Sequence, residues 1–409
     1  MTFFRLGWMF GNSTELLKRI FWLNFKKAIG YVKTLPPLRE GTANTSIEFH
    51  EGRILALQEV SLPFHIVEKE GDFKSIGYLD YNEKLKHGFT AHPKICPISG
   101  EMRFFGYDSF KDPHFNYSVV KNDEIITNFS IEKEQLPYPT MMHDFGITQN
   151  YSIVIDFPLI FDLNLAKQGK FPVTFKSDFP SRFGVFPKHA SDSSNITWFT
   201  VKTCYMFHLL NCWEDTNVDG DLIINIVGCR SPGFNFKYNA EVVNENKNKF
   251  KPYIWKLNFS KKIVVSENEI VTSLGEEKTM DFPKCHPKLQ GLPVKYGYFS
   301  ILLATNDIIG SVKINLKTMK EEKVLIFGEG KSGGETWFEP KKLAKSEDDG
   351  YLLTFVHDMK NVEANESELW IWDALTMNET PLAKIKIPSR IPYGFHCKFI
   401  SKEQLLQQK

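Results

Sequence analysis

What the 409 residues lack narrows the possibilities first. Six cysteines (Cys96, Cys204, Cys212, Cys229, Cys285 and Cys397) are scattered along the chain, and none forms a Cys-x-x-Cys pair. This argues against a disulfide scaffold or a cysteine-ligated zinc module and reads as reduced thiols of an intracellular protein. Neither sign of charge is in excess: 50 basic and 49 acidic residues leave a net charge of +1. A nucleic-acid partner, which needs a basic face, is therefore not expected. No phosphate-binding loop, dinucleotide-binding glycine fingerprint or Gly-x-Ser-x-Gly turn occurs, which sets aside the usual nucleotide-dependent and serine-hydrolase readings. Strands do not alternate with long helices, so a doubly wound α/β sheet is disfavoured, and no clean repeat is visible.

Aromatic side chains are what the chain has in plenty: 14% of residues, with 35 Phe. Core packing absorbs most such residues. A long apolar ligand tunnel uses the same side chains, so composition leaves that use open. Between Leu16 and Val32, Leu16, Leu17, Ile20, Phe21, Phe25, Ala28 and Val32 recur at helical spacing, with Lys18, Arg19, Lys26 and Lys33 largely on the other side. The pattern predicts a basic amphipathic helix. Charge interrupts it too often for a bilayer span. It can lie in a membrane interface or pack on its own domain. From about Thr45 the pattern becomes short strands, such as Ile54–Leu57, Tyr151–Ile155, Leu222–Val227, Lys262–Val265, Ile301–Ala304 and Tyr351–Val356. Turn signals separate them at Glu70–Asp72, Pro97–Gly100, Asp219–Gly220 and Glu347–Gly350. Many short strands with regular turns predict an all-β sandwich, barrel or propeller.

Of the eleven histidines, four have apolar or aromatic neighbours: His92, His143, His208 and His396. A buried imidazole needs a hydrogen-bond partner or a metal. The long sequence separations do not by themselves bring the four together. In a propeller they can meet, because the innermost strand of every blade runs beside the axis. His50, His65, His114, His189, His286 and His357 are read as surface or turn residues, and His87 is set aside although it lies close to His92. Glu214 and Asp215, near His208, are read as local structural support in preference to catalytic groups.

Ten segments, taken together and in order, resemble the carotenoid cleavage oxygenases, most closely the plant-type dioxygenases. They include Gly41–Thr45, Gly52–Glu59, Thr90–Lys94 with Ser99–Met102, Met142–Phe145, Arg182–Val185, Asn211–Glu214, Asp281–Pro283, Gly333–Glu335, Glu347–Tyr351 and Ile391–His396. The resemblance implies a seven-bladed β-propeller over residues 41–409, preceded by the amphipathic segment 1–40. It also implies iron(II) held by His92, His143, His208 and His396, with Glu59, Asp281 and Glu335 as carboxylates behind the ligands. Such carboxylates fix the imidazole tautomer and offset the metal's charge. The family more often has glutamate where Asp281 stands. We therefore expect that contact to be rearranged or bridged by water.

The implied reaction is cleavage of a C=C bond in a carotenoid or apocarotenoid by molecular oxygen, giving two carbonyl products. Phe145, Phe207, Trp213 and Phe395 lie near the ligands in sequence and are read as core. Because the substrate class resides in membranes, peripheral membrane association through residues 14–33 is expected, in the cytoplasm or alternatively a plastid. Family members carry a long stretch before the match to Gly41–Thr45, so an N-terminally truncated member with a propeller short of strands is expected. The alternative is a catalytically inactive paralogue that binds apolar ligands or membrane. A minor third reading is an iron enzyme acting on a stilbene-like alkene.

Overall fold

A computed structural model describes residues 37–39, 41–108, 111–162, 172–235, 248–275, 277–360, 366–392 and 394–409, with a few single residues between them. The expected helix at 14–33 lies outside the described residues. Strand is nearly the only regular secondary structure among the described residues, as the short apolar runs predicted. Apart from a separate hairpin of Leu159–Phe161 and Val173–Phe175, the described strands group into six antiparallel units of four or five strands, which we call blades I to VI. The family ring implied by the resemblance has seven. Blade I spans residues 46–78, blade II 94–131, blade III 146–201, blade IV 205–269, blade V 279–326 and blade VI 331–387. The last two share one continuous sheet.

Burial changes systematically across each blade. The second strand of blade II, Met102–Tyr107, is buried at every residue, as is the second strand of blade V, Tyr296–Leu302. Strands covered on both faces read as continuous apolar runs, so these carry no polar alternation. Outermost strands are largely exposed and charged: Lys320–Ile326 begins Lys-Glu-Glu-Lys, and Ala383–Ile387 carries Lys384 and Lys386. Charge on an exposed edge discourages pairing with another sheet. The predicted turn at Glu70–Asp72 is a tight hairpin with Glu70 at φ 57° and Gly71 at φ 82°, left-handed values that suit the twist of the strands it joins. The run predicted at Ile301–Ala304 proves to be only the end of the strand Tyr296–Leu302.

Neighbouring blades are packed by their apolar faces, as where Phe183 of blade III meets Trp255 of blade IV edge-on with ring centres 5.3 Å apart. Buried Arg103 on blade II donates to the carbonyls of Thr148, Gln149 and Tyr151 on blade III. The first strand of blade IV touches the first strands of blades III and V on either side. They therefore line the axis, which is what lets distant residues converge. After blade VI the chain crosses to blade I. There Lys398 pairs with Glu48, the Gln408 side chain binds the backbone of Glu68, and Lys409 N–H donates to the Gly52 carbonyl at 2.9 Å.

Three of the histidines expected at the surface are instead buried. His50, His65 and His357 lie on blade strands. His50 Nε2 bonds to the Gly100 carbonyl, and His357 Nδ1 bonds to the Ser367 hydroxyl. A strand places every second side chain inward whatever its polarity, so position in the blade overrides residue type.

Candidate metal centre on the propeller axis

Each successive blade from II to VI contributes one polar side chain at, or within three residues of, its first strand. His92 precedes Lys94–Ile95, His143 precedes Gly146–Ile147, and His208 lies within Tyr205–Thr216. Asp281 lies within Thr279–Lys284, and Glu335 follows Lys331–Gly333. Glu59 enters from blade I, just after its second strand, Arg53–Leu57. His396 comes from the crossing segment. The long sequence spacings are therefore blade repeats, and the fold turns them into neighbours.

The four histidine donor atoms lie within 4.8 Å of one another. Nε2 atoms of His92 and His143 are 3.1 Å apart, those of His143 and His208 3.2 Å, and those of His208 and His396 3.2 Å. Behind three of the rings stands a carboxylate. Asp281 Oδ1 is 2.9 Å from His208 Nδ1, and Glu335 Oε1 is 3.0 Å from His396 Nδ1. Glu59 Oε1 is 2.5 Å from His143 Nδ1, and among the described residues the ring is its only ion-pair partner. A carboxylate that accepts a hydrogen bond from Nδ1–H holds the proton there and leaves Nε2 with its lone pair free. Converging lone pairs repel, and a cation between them removes the conflict. The donor set therefore fits a metal ion.

The expected rearrangement at Asp281 does not occur; its contact with His208 is direct. The backbone supplies the missing reach. The register slips between Asp281 and Lys284, and Phe282 between them sits at φ 51°. A bulge of this kind bends its strand and re-aims side chains. The Phe282 ring lies against His208 and His396, with centres 4.9 and 5.4 Å away.

Two further ion pairs were not singled out from sequence. Lys284 Nζ is 2.7 Å from Glu335 Oε1, and Lys94 Nζ is 2.7 Å from Asp144 Oδ1. Asp144 also accepts the backbone N–H of Phe145 at 2.8 Å and of Leu209 at 2.9 Å. One carboxylate thus ties together the segments that carry His92, His143 and His208. Lys94 and Asp144 both fall inside the family-like segments; adjacency to a histidine was the available signal.

Burial and neighbouring charge act differently on each group. His92 is held well below the usual histidine value by burial and by the surrounding imidazoles. Burial also lowers His396, to about 4, with Glu335 pulling only partly against it. For His143 burial is outweighed by Glu59, and its value is raised. For Glu335 burial is outweighed by Lys284 and His396, which hold it at about 2.

The remaining candidates stand apart from the centre. His87 bonds to the Gly88 carbonyl and the Ser118 hydroxyl. Glu214 caps the turn at Thr148 and Asn150, its oxygens 2.6 to 2.9 Å from their donors. Its structural role is therefore the one expected. Phe145 and Trp213 are buried in the core, as expected, and Phe207 packs edge-on to His143 at 5.4 Å.

The family model described as retinal pigment epithelial membrane protein matches residues 12–401. The chain belongs to the carotenoid cleavage oxygenases. It is 34% identical to the carotenoid 9,10(9',10')-cleavage dioxygenase of Crocus sativus over 386 residues, covering 90% of this chain and 68% of that protein. It is 28% identical to the zeaxanthin 7,8(7',8')-cleavage dioxygenase of the same species, covering 90% of this chain and 98% of that protein. Among solved structures, lignostilbene dioxygenase of Pseudomonas brassicacearum superposes with a TM-score of 0.72 at 25% identity, over 87% of this chain and 75% of that one. The β-propeller and the oxygenase class follow from this membership.

Proposed function

We propose that the protein is an iron(II)-dependent dioxygenase that cleaves one C=C bond of a carotenoid or apocarotenoid with O2, giving two carbonyl products. The observation that carries this reading is the spacing of the four imidazoles. Five of the six ring pairs have centres 4.4 to 5.1 Å apart, whereas His143 and His396 are 6.5 Å apart. Four corners of an octahedron give five near pairs and one opposed pair when the two unfilled corners adjoin. A closed tetrahedral structural site would give six equal pairs. The set therefore favours a metal with open positions over a structural zinc ion.

His92, His143, His208 and His396 would hold the metal, with Glu59, Asp281 and Glu335 orienting His143, His208 and His396. Iron(II), when bound, supplies the redox chemistry that allows molecular oxygen to react with an alkene. The chain's own residues bind and fix the rings, and Phe282 and Phe207 exclude water beside them. Names of the relatives support a polyene substrate. So does an open cleft of about 1290 Å³ beside blades I and II, where Leu62, Leu85, Tyr107 and Phe129 stand among charged residues such as Asp80 and Lys86, with Glu59 in its wall.

Membrane-surface association through residues 14–33 is part of this reading, on their sequence pattern. Among the described residues no helix is long and apolar enough to cross a membrane. The deciding experiment loads the full chain with iron(II) anaerobically and measures iron per chain beside His208→Ala. Near one iron per chain, lost in the variant, followed by oxygen-dependent cleavage of a carotenoid panel, is the expected result. A folded protein that takes up no iron would overturn the proposal, and iron without cleavage would favour a ligand-binding paralogue.

A further inference from the structure

We infer that Lys284 is a positioning residue that sets the charge of the metal centre, favouring the divalent over the trivalent state of bound iron through Glu335. The inference rests on the reading that the four histidines hold iron. In a regular strand, residues three apart point to opposite faces. Asp281 and Lys284 are three apart, yet Asp281 reaches His208 and Lys284 reaches Glu335. The slipped register between them and the left-handed Phe282 make this possible. Phe282 is not glycine, and it precedes a proline, which further restricts its backbone. A strained conformation of that kind persists where the surrounding structure imposes it, and such sites cluster at functional positions. Here the bulge delivers one negative and one positive side chain to the same centre.

The charges then balance for a dication. Glu59, Asp144, Asp281 and Glu335 bring four carboxylates to the ligands and their immediate supports, and Lys94 and Lys284 bring two ammonium groups. Neutral imidazoles add nothing, so two negative charges remain to meet the metal. A divalent ion brings this buried cluster to neutrality, and a trivalent ion leaves it one unit positive. Buried uncompensated charge is costly. Lys284 keeps a side-chain exposure of 24% and Glu335 of 1%, so the carboxylate that relays the effect is fully enclosed. Without Lys284 the cluster would carry three negative charges and would match the trivalent ion instead.

The test is a mediator-coupled redox titration of the iron-loaded full chain, following the equilibrium in which bound iron(III) takes up one electron to become iron(II). Lys284→Met is expected to raise the ferric-to-ferrous ratio at a fixed potential at least tenfold, a midpoint lowered by about 59 mV. Lys284→Arg keeps the charge and should stay with the unaltered protein. Glu335→Gln should move the midpoint upward, and K284M combined with E335Q should return it toward the starting value. An unshifted Lys284→Met, or an Arg variant shifted as far as the Met variant, would overturn the inference. If Lys284→Met holds no iron, the comparison passes to Glu335→Gln with and without K284M. A lower midpoint in the double variant supports the charge role, and equal midpoints overturn it. Failure of the unaltered chain to bind iron would instead defeat the four-histidine reading itself.

Discussion

His143 and His396 stand on opposite sides of the centre and are backed by the same residue type in two very different ways. Glu335 behind His396 is fully engaged: its oxygens take the ring N–H at 3.0 Å, Lys284 at 2.7 Å and the Cys397 backbone N–H at 2.9 Å. Glu59 behind His143 is equally buried, but among the described residues its only ion-pair partner is the ring, and no lysine joins it. One corner is satisfied by the protein alone. The other pairs a buried carboxylate with a single ring. The difference teaches that the protein builds the His396 side as scaffold and leaves the His143 side with a single pairing. Removing a buried group with three partners strands more than removing one with a single partner.

The largest expected effect separates the two corners directly. Glu335→Ala strands Lys284 and the Cys397 N–H, and should destabilise the metal-free protein by about 3–5 kcal/mol. Glu59→Ala removes a carboxylate paired with one ring and should cost less, about 1–3 kcal/mol. Both should weaken iron binding by roughly 10–100-fold, because each ring loses the group that orients it. Denaturant unfolding without metal, beside iron titration, measures the two quantities. Equal stability losses at the two positions would break the comparison.

Much of this centre was legible in the sequence, but unevenly so. The four histidines and three carboxylates could be placed because each lies in a short family-like segment, five of them at a blade's first strand, and those segments keep their order along the chain. The pairing of Lys284 with Glu335 was not legible, since it joins two blades through space and depends on a bulge that no composition announces. The same bulge explains why Asp281 reaches His208 directly despite its shorter side chain. Buried His50, His65 and His357 were misread because a strand's alternation carries polar residues inward without any apolar signature of their own.

A pH series sharpens the comparison, because the two histidines respond with opposite sign. His396 is lowered from 6.5 to about 4 by burial, so below pH 6.5 the unfolded chain takes a proton that the folded chain refuses. Metal-free stability should therefore fall between about pH 6.5 and 4, by on the order of 2–3 kcal/mol if this group acts alone. Glu335, held at about 2 from 4.5 by Lys284 and His396 against burial, extends the loss as pH falls from 4.5 toward 2. His143 is raised above 6.5 by Glu59, against burial. Its contribution is complete below 6.5 and is lost as pH climbs through its higher folded value. Stability should thus peak near neutrality and decline on both sides. Glu59→Gln should flatten the alkaline decline and leave the acid decline in place. An unchanged alkaline limb in that variant would show that Glu59 does not control His143.

The smallest effect is expected at His208, whose support is neither the satisfied corner nor the singly paired one. Asp281 reaches its ring because the backbone bulges toward it, so the longer Glu at this position would have one methylene too many. Asp281→Glu must fit that methylene between His208 and the Cys229 thiol, which bonds to Asp281 and is raised by burial and by that carboxylate. Overfilling a packed site of this kind costs about 1–2 kcal/mol, read as a lower unfolding midpoint without metal. The charge is kept, so iron binding should weaken far less than in Glu335→Ala. A variant that gained stability or bound iron more tightly would mean that the strained Phe282 turn is not there to bring Asp281 within reach. The bulge would then serve Lys284 alone.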